Sequence, residues 1–138
     1  MCLFFFHIYV KIIELNYKMP HIAFDKKIDL MDFSKKFIPI FQKEPILIKI
    51  TTIFVDKENL TALLPTVAIS DSQQQYLIEI STSKSKTTIR LYPPTDPEKT
   101  DSVKTSMALL AKQMINHYPD FEITKTNLSE YIKMVNKN

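Results

Sequence analysis

The chain predicts an α+β fold, in which two β-α-β units lie side by side as a four-stranded mixed sheet with two helices on one face. Three observations predict it. Runs rich in Ile, Val, Thr and aromatic residues recur as strand candidates. Two of the intervals between them carry apolar residues at three- and four-residue spacing, the period of a helix with one buried face. The consecutive prolines of PPTDP forbid helix or central strand there and part the strand that ends at Tyr92 from the helix that follows. A helix of three or more turns between two strands permits a parallel pair with a right-handed crossover. The units are Pro20 to Val55 and Thr87 to Thr126. The uncovered sheet face would then be covered by other subunits.

The elements follow in order. PHIAF, Pro20 to Phe24, is a short strand, and Asp25 to Ile28 a charged turn. Asp29 suits an N-cap, with Asp32 in the first turn facing the positive end of the helix dipole. Leu30, Phe33, Phe37, Ile40 and Phe41 then recur at helical spacing, which predicts an amphipathic helix over 29–43 with its phenylalanines in the core. Pro39 should kink that helix or end its regular part early. Ile46 to Val55 reads as a strand with Lys49 and Thr51 on one face. Residues 56–74 read as a long connection with room for one short strand. Tyr76 to Ser81 and Thr87 to Tyr92 form a hairpin through TSKSK, without the usual Asn-Gly turn. Beyond PPTDP, Val103, Met107, Leu110, Ala111 and Met114 mark a helix from Glu98 to His117. Phe121 to Lys125 is a closing strand, and Leu128 to Val135 a weak terminal helix or tail.

Composition narrows the chemistry. The 138 residues contain no glycine, where average usage of about 7% would give roughly ten. A P-loop, a G-x-G-x-x-G dinucleotide turn and a G-x-S-x-G nucleophile elbow each need glycine for positive φ or close backbone approach, so none can be built. One cysteine, Cys2, excludes an internal disulfide framework and a Cys-rich zinc site. His7, His21 and His117 form no i, i+4 pair, so neither metal nor cofactor is expected. The net charge of +3 rests on 17 lysines and a single arginine, Arg90. That is not the Arg-bearing basic stripe with stacking aromatics that nucleic acid demands. An RNA-recognition βαββαβ domain is disfavoured too, because no aromatic- and Gly-bearing strand is present. The reduced cysteine usage points to a cytoplasmic protein.

Residues 1–18, MCLFFFHIYVKIIELNYK, carry an apolar run from Leu3 to Ile13 broken by His7 and Lys11. No Lys or Arg precedes that run and no small-x-small cleavage site follows it, so it does not read as a secretory signal. It is shorter than the roughly 20 apolar residues of a transmembrane helix. We read it as an extension upstream of a working start at Met19, with a single domain over 19–138.

Met19-Pro20-His21-Ile22, opening a strand before a charged turn and an amphipathic helix, resembles the tautomerase superfamily. Its members open with Met-Pro and act through the amino-terminal proline exposed when Met is removed. The likeness is closest to the 5-carboxymethyl-2-hydroxymuconate isomerases, which also open Met-Pro-His, and to a group of tautomerase-like proteins; it covers most of the chain after residue 18. The resemblance implies a homotrimer and an isomerase acting on a small enolisable carbonyl acid, with Pro20 as general acid-base. A free amino-terminal proline is a secondary amine whose pKa falls below the ordinary α-amino range among apolar walls and cations, and it can then move a proton at carbon beside a carbonyl. An internal proline is an amide and cannot. The resemblance further implies that Lys49 and Thr51, where the isomerases carry arginines, and Arg90 as a replacement cation, bind the substrate carboxylate. Lys49 keeps the charge without the bidentate fork, and Thr51 keeps neither.

Plainer readings stand beside these. Lys49 is equally a solvated strand lysine, Arg90 a partner in a surface salt bridge, and His21 a structural residue. Asp25 to Lys27 and Lys84 to Lys86 are solvated turns. The alternative function is a non-catalytic binding or assembly module of ferredoxin-like or tautomerase-like fold. Use of residues 3–13 at a membrane surface is the least favoured reading.

Overall fold

The computed structural model describes residues 19–137, and the reading of residues 1–18 as an upstream extension lies outside them. The elements are β1 (His21–Phe24), α1 (Leu30–Lys36), β2 (Ile40–Gln42), β3 (Leu47–Ile50), β4 (Phe54–Val55), β5 (Thr61–Ile69), β6 (Gln73–Ser83) and β7 (Lys86–Leu91), then a 3₁₀ turn (Pro93–Thr95), α2 (Asp101–His117), β8 (Ile123–Thr126) and α3 (Ser129–Asn136).

All eight strands join one curled sheet in the order β2-β3-β5-β6-β7-β1-β8, with β4 beside β5. Every pairing among the described residues is antiparallel. This overturns the four-stranded mixed sheet of two β-α-β units, and the tautomerase-like fold with it. The chain leaving β1 through α1 does not return beside β1. It opens β2 at the far edge of the sheet, while β1 pairs antiparallel with β7 and β8.

Local chemistry explains the departures. Asp29 does cap α1, its Oδ1 accepting from the Asp32 N–H at 3.2 Å. The helix ends at Lys36 rather than at 43, because the residue before a proline is pushed to extended backbone and Ile38 precedes Pro39. The chain therefore enters β2, and Phe41, expected in the core, is 58% exposed. The single strand expected over Ile46 to Val55 is two, β3 and β4, with 51–53 outside both. The expected connection 56–74 contains all of β5, a nine-residue strand central to the sheet. The β6–β7 hairpin forms where expected and extends further. α2 starts at Asp101 behind a Thr100 cap whose Oγ1 accepts from the Val103 N–H at 3.3 Å.

Strand alternation sorts the two faces. Ile22, Phe24, Ile48, Ile50, Ala62, Leu64, Ile78, Ile80, Ile89 and Leu91 point inward, and all are fully buried. They close on Val103, Met107, Leu110, Ala111 and Met114 of α2, the helical stripe read from the sequence. The Tyr76 hydroxyl bonds to Ser106 Oγ at 2.5 Å and ties β6 to α2; burial raises its pKa. Among the described residues, no helix covers the opposite face of the sheet.

Candidate functional site: a groove on the open sheet face

Two adjacent rows of outward side chains build the site. One row runs Phe41, Lys49, Val67, Gln75 across β2, β3, β5 and β6. Pro65 and Leu77 pair in the next outward row, and Thr51 follows β3 at its end. Together Lys49, Thr51, Pro65, Val67, Gln75 and Leu77 line an open groove of about 360 Å³, closed at one end by Thr95.

Its origin is a break in the sheet. Proline cannot donate to a ladder and is rarely tolerated in a central strand. Pro65 lies in β5 between the residues that pair with β3 and those that pair with β4, opposite the interruption at 51–53. The notch in the ladder is the groove. Thr95 is fixed at its end, its Oγ1 donating to the Tyr92 carbonyl at 2.9 Å and accepting from the Leu77 N–H at 3.1 Å. The 3₁₀ turn at Pro93–Thr95, read from the sequence only as a break, thus folds back over β6.

The floor is apolar, made by Pro65, Val67 and Leu77, and the rim is polar. The Lys49 side chain is exposed and forms no ion pair or hydrogen bond with any described residue. No carboxylate, imidazole or thiol lies among the described lining residues. Such a site can attract an anion to Lys49 and cover an apolar body.

The residues expected to form a site are divided. Lys49 and Thr51 share the groove. Arg90 is on β7 and is engaged elsewhere: its Nε and Nη2 both donate to Glu79 Oε1, at 2.7 and 2.6 Å. Glu79 faces outward and is 6% exposed, with the Arg90 guanidinium against it. The salt-bridge reading of Arg90 therefore describes its observed contact. Pro20 is buried and directly precedes β1, whose His21 stands opposite Arg90. By alternation Pro20 shares the inward face with Ile22 and Phe24, whereas Lys49 and Arg90 face outward. β1 and β3 are separated by β7, β6 and β5, on the order of 20 Å along the sheet at about 4.8 Å per strand. His21 is held from both sides, its Nδ1 bonding to the Met19 carbonyl at 3.1 Å and its backbone N–H donating to Asn127 Oδ1 at 3.0 Å.

Sequence reasoning missed Pro65, Val67, Gln75, Leu77 and Thr95. The signal was present in TALLPTVAI, whose inward Ala62, Leu64, Thr66 and Ala68 alternate with outward residues. The outward set is also apolar, so the alternation does not show in hydrophobicity. No family model matches the chain, and neither a curated protein nor a solved structure matches it. Among the described residues no helix is long and apolar enough to cross a membrane.

Proposed function

We propose that this chain is a binding module whose outer-face groove holds a small carboxylic acid with an apolar body. The carboxylate sits on Lys49, and the apolar part covers Pro65, Val67 and Leu77. The observation that carries the reading is the juxtaposition of a lysine side chain with no partner among the described residues and an apolar floor in one notch of the sheet. Binding is favoured over catalysis because Lys49 stands without a second charged group to work with it among the described lining residues, while Pro20 lies on the other face of the sheet.

The test is an NMR titration of the isotopically labelled protein with phenylpyruvate, which carries both a carboxylate and an apolar ring. The expected shifts are confined to Lys49, Thr51, Val67, Gln75, Leu77 and Thr95. Lys49→Gln should weaken binding about tenfold, the low end for a hydrogen bond to a charged group at an exposed site. Shifts scattered over the surface, or an unchanged affinity in the variant, would remove the reading. A natively expressed chain whose mass begins at Pro20, and which ketonises phenylenolpyruvate, would replace it with a catalytic one.

A further inference from the structure

The outward face of the sheet is of two kinds. Across β7 it carries Lys86, Thr88 and Arg90, whereas β4, β5 and β6 place Phe54, Leu63, Pro65, Val67 and Leu77 side by side, and Phe41 of β2 extends that apolar stripe beyond Lys49. Phe41 and Phe54 are 58% and 63% exposed. An antiparallel sheet that meets water on one face alternates to polar residues there, and a contiguous apolar patch with a polar border marks a surface that something covers. The groove is the notch within this stripe.

Residues 1–18 join the fold beside it. His21 of β1 stands in one row with Arg90, Glu79 and Leu63. Two residues earlier on the same face, Met19 comes level with Leu77 and Pro65, the floor of the groove. Its carbonyl is fixed there by Asn127 Nδ2 at 2.9 Å. β5 lies three strands from β1, about 14 Å at about 4.8 Å per strand. Residues 14–19 span up to about 20 Å at about 3.3 Å each, so residues 3–13 can lie over the stripe. Nine of those eleven are Leu, Phe, Ile, Tyr or Val. The one carboxylate side chain of residues 1–18, Glu14, follows them, and the one cation within the stripe is Lys49.

We infer that residues 3–13 dock on the apolar stripe, cover the groove and bring Glu14 toward Lys49. A start at Met19 serves a proline exposed at the amino terminus, but Pro20 is buried in the inward row, which leaves residues 1–18 to serve as cover. The tether favours this occupant over a second copy, because a short link holds a segment at an effective concentration on the order of millimolar. Docking does not depend on the acid-binding reading of the groove. Where both hold they compete, and the segment becomes a strap that a carboxylic acid must displace.

The test uses the full 138-residue chain with a nitroxide on Cys2, its single cysteine. The methyl signals of Leu63, Val67 and Leu77 should lose intensity relative to the reduced nitroxide, while those of Ile115 and Ile132, on the helical side, keep theirs. Phe5→Asp with Ile8→Asp alters no described residue and should restore the three signals. Spin-labelled chains mixed with isotopically labelled ones that carry no nitroxide should leave them unchanged. Intact signals in the spin-labelled chain, equal loss in the double variant, or loss in the mixed sample, which would assign the stripe to a second copy, would each overturn the inference. So would a natively expressed chain that begins at Met19 or Pro20. Phenylpyruvate separates docking from the acid-binding reading. If it shifts Lys49 and relieves the broadening, both stand; if it shifts Lys49 and the broadening persists, docking is overturned and the acid site stands. A groove that ignores phenylpyruvate even in the double variant, with broadening in the native chain, upholds docking and removes the acid site.

Discussion

A chain without glycine must still turn where φ is positive, and Asn59 does so at φ 61°. Only asparagine, aspartate and glycine visit that region at low cost. The side chain is used as well: Asn59 Oδ1 accepts from the Met31 N–H at 2.8 Å, and Nδ2 donates to Asp29 Oδ1 at 3.0 Å, joining the turn to the start of α1. Asp56 closes the other side, its Oδ1 accepting from the Leu60 and Thr61 N–H groups at 2.8 and 3.0 Å. Two substitutions separate backbone from side chain. Asn59→Gly keeps the left-handed conformation and loses two hydrogen bonds, so it should cost about 1–2 kcal/mol. Asn59→Ala adds the left-handed penalty of roughly 1–2 kcal/mol. Urea denaturation should rank the native chain above Asn59→Gly and that above Asn59→Ala, and equal variants would show that the backbone is not what Asn59 supplies. The missing glycine was legible from composition. Which polar residue in DKENL takes the positive φ was not, because that depends on where β5 begins.

Elements were legible where a single pattern decided them and illegible where two patterns competed. α2 has five apolar residues at clean spacing and a Thr cap, and β6–β7 has two β-prone runs around a polar tip. In α1 the helical spacing of Phe37, Ile40 and Phe41 continues past Pro39, but the proline wins over periodicity. In β5 the same residue type misleads in the other direction, since Pro65 in an apolar run argues against a central strand that a ladder gap makes possible. Short α1 is held by contacts beyond itself. Asp32 accepts from the Tyr118 hydroxyl at 2.7 Å and pairs with Lys36 at 2.9 Å, joining α1 to the end of α2. These two partners hold the Asp32 carboxyl below its ordinary range, the Tyr118 hydrogen bond foremost. A carboxylate whose folded pKa is depressed stabilises the fold above its unfolded pKa of about 3.9 and loses that contribution as pH falls through the folded value. Thermal melts should therefore place Asp32→Asn below the native chain at pH 7, with the gap closing below pH of about 4. A gap that persists at about pH 2 would mean that the charge is not the source.

At the scale of the whole molecule, the order of strands was the least legible feature, because it is written in contacts between distant parts of the chain. Nothing near Pro20 indicates that β1 will lie between β7 and β8, with His21 opposite Arg90 and Ile22 opposite Thr126. The candidate groove shares this character: Lys49 was found as a cation on a strand, but its apolar floor comes from β5 and β6 and exists only once the sheet is assembled. The same topology constrains folding. The β5–β6–β7 meander is built from neighbouring residues, whereas pairing β1 with β7, Phe24 opposite Thr87, requires closing a loop of nearly half the chain, an entropic cost met before its contacts repay it. The meander should thus form in the transition state and β1 should dock after it. Ile80 of β6 and Ile22 of β1 are both fully buried, so Ile→Val at each should cost about 0.5–1.5 kcal/mol by the same loss of one methylene. Stopped-flow refolding in urea should nevertheless divide them. Ile80→Val should mainly slow folding, and Ile22→Val should mainly speed unfolding. If Ile22→Val instead slows folding as much as Ile80→Val, β1 is already placed in the transition state and the sheet closes as a unit.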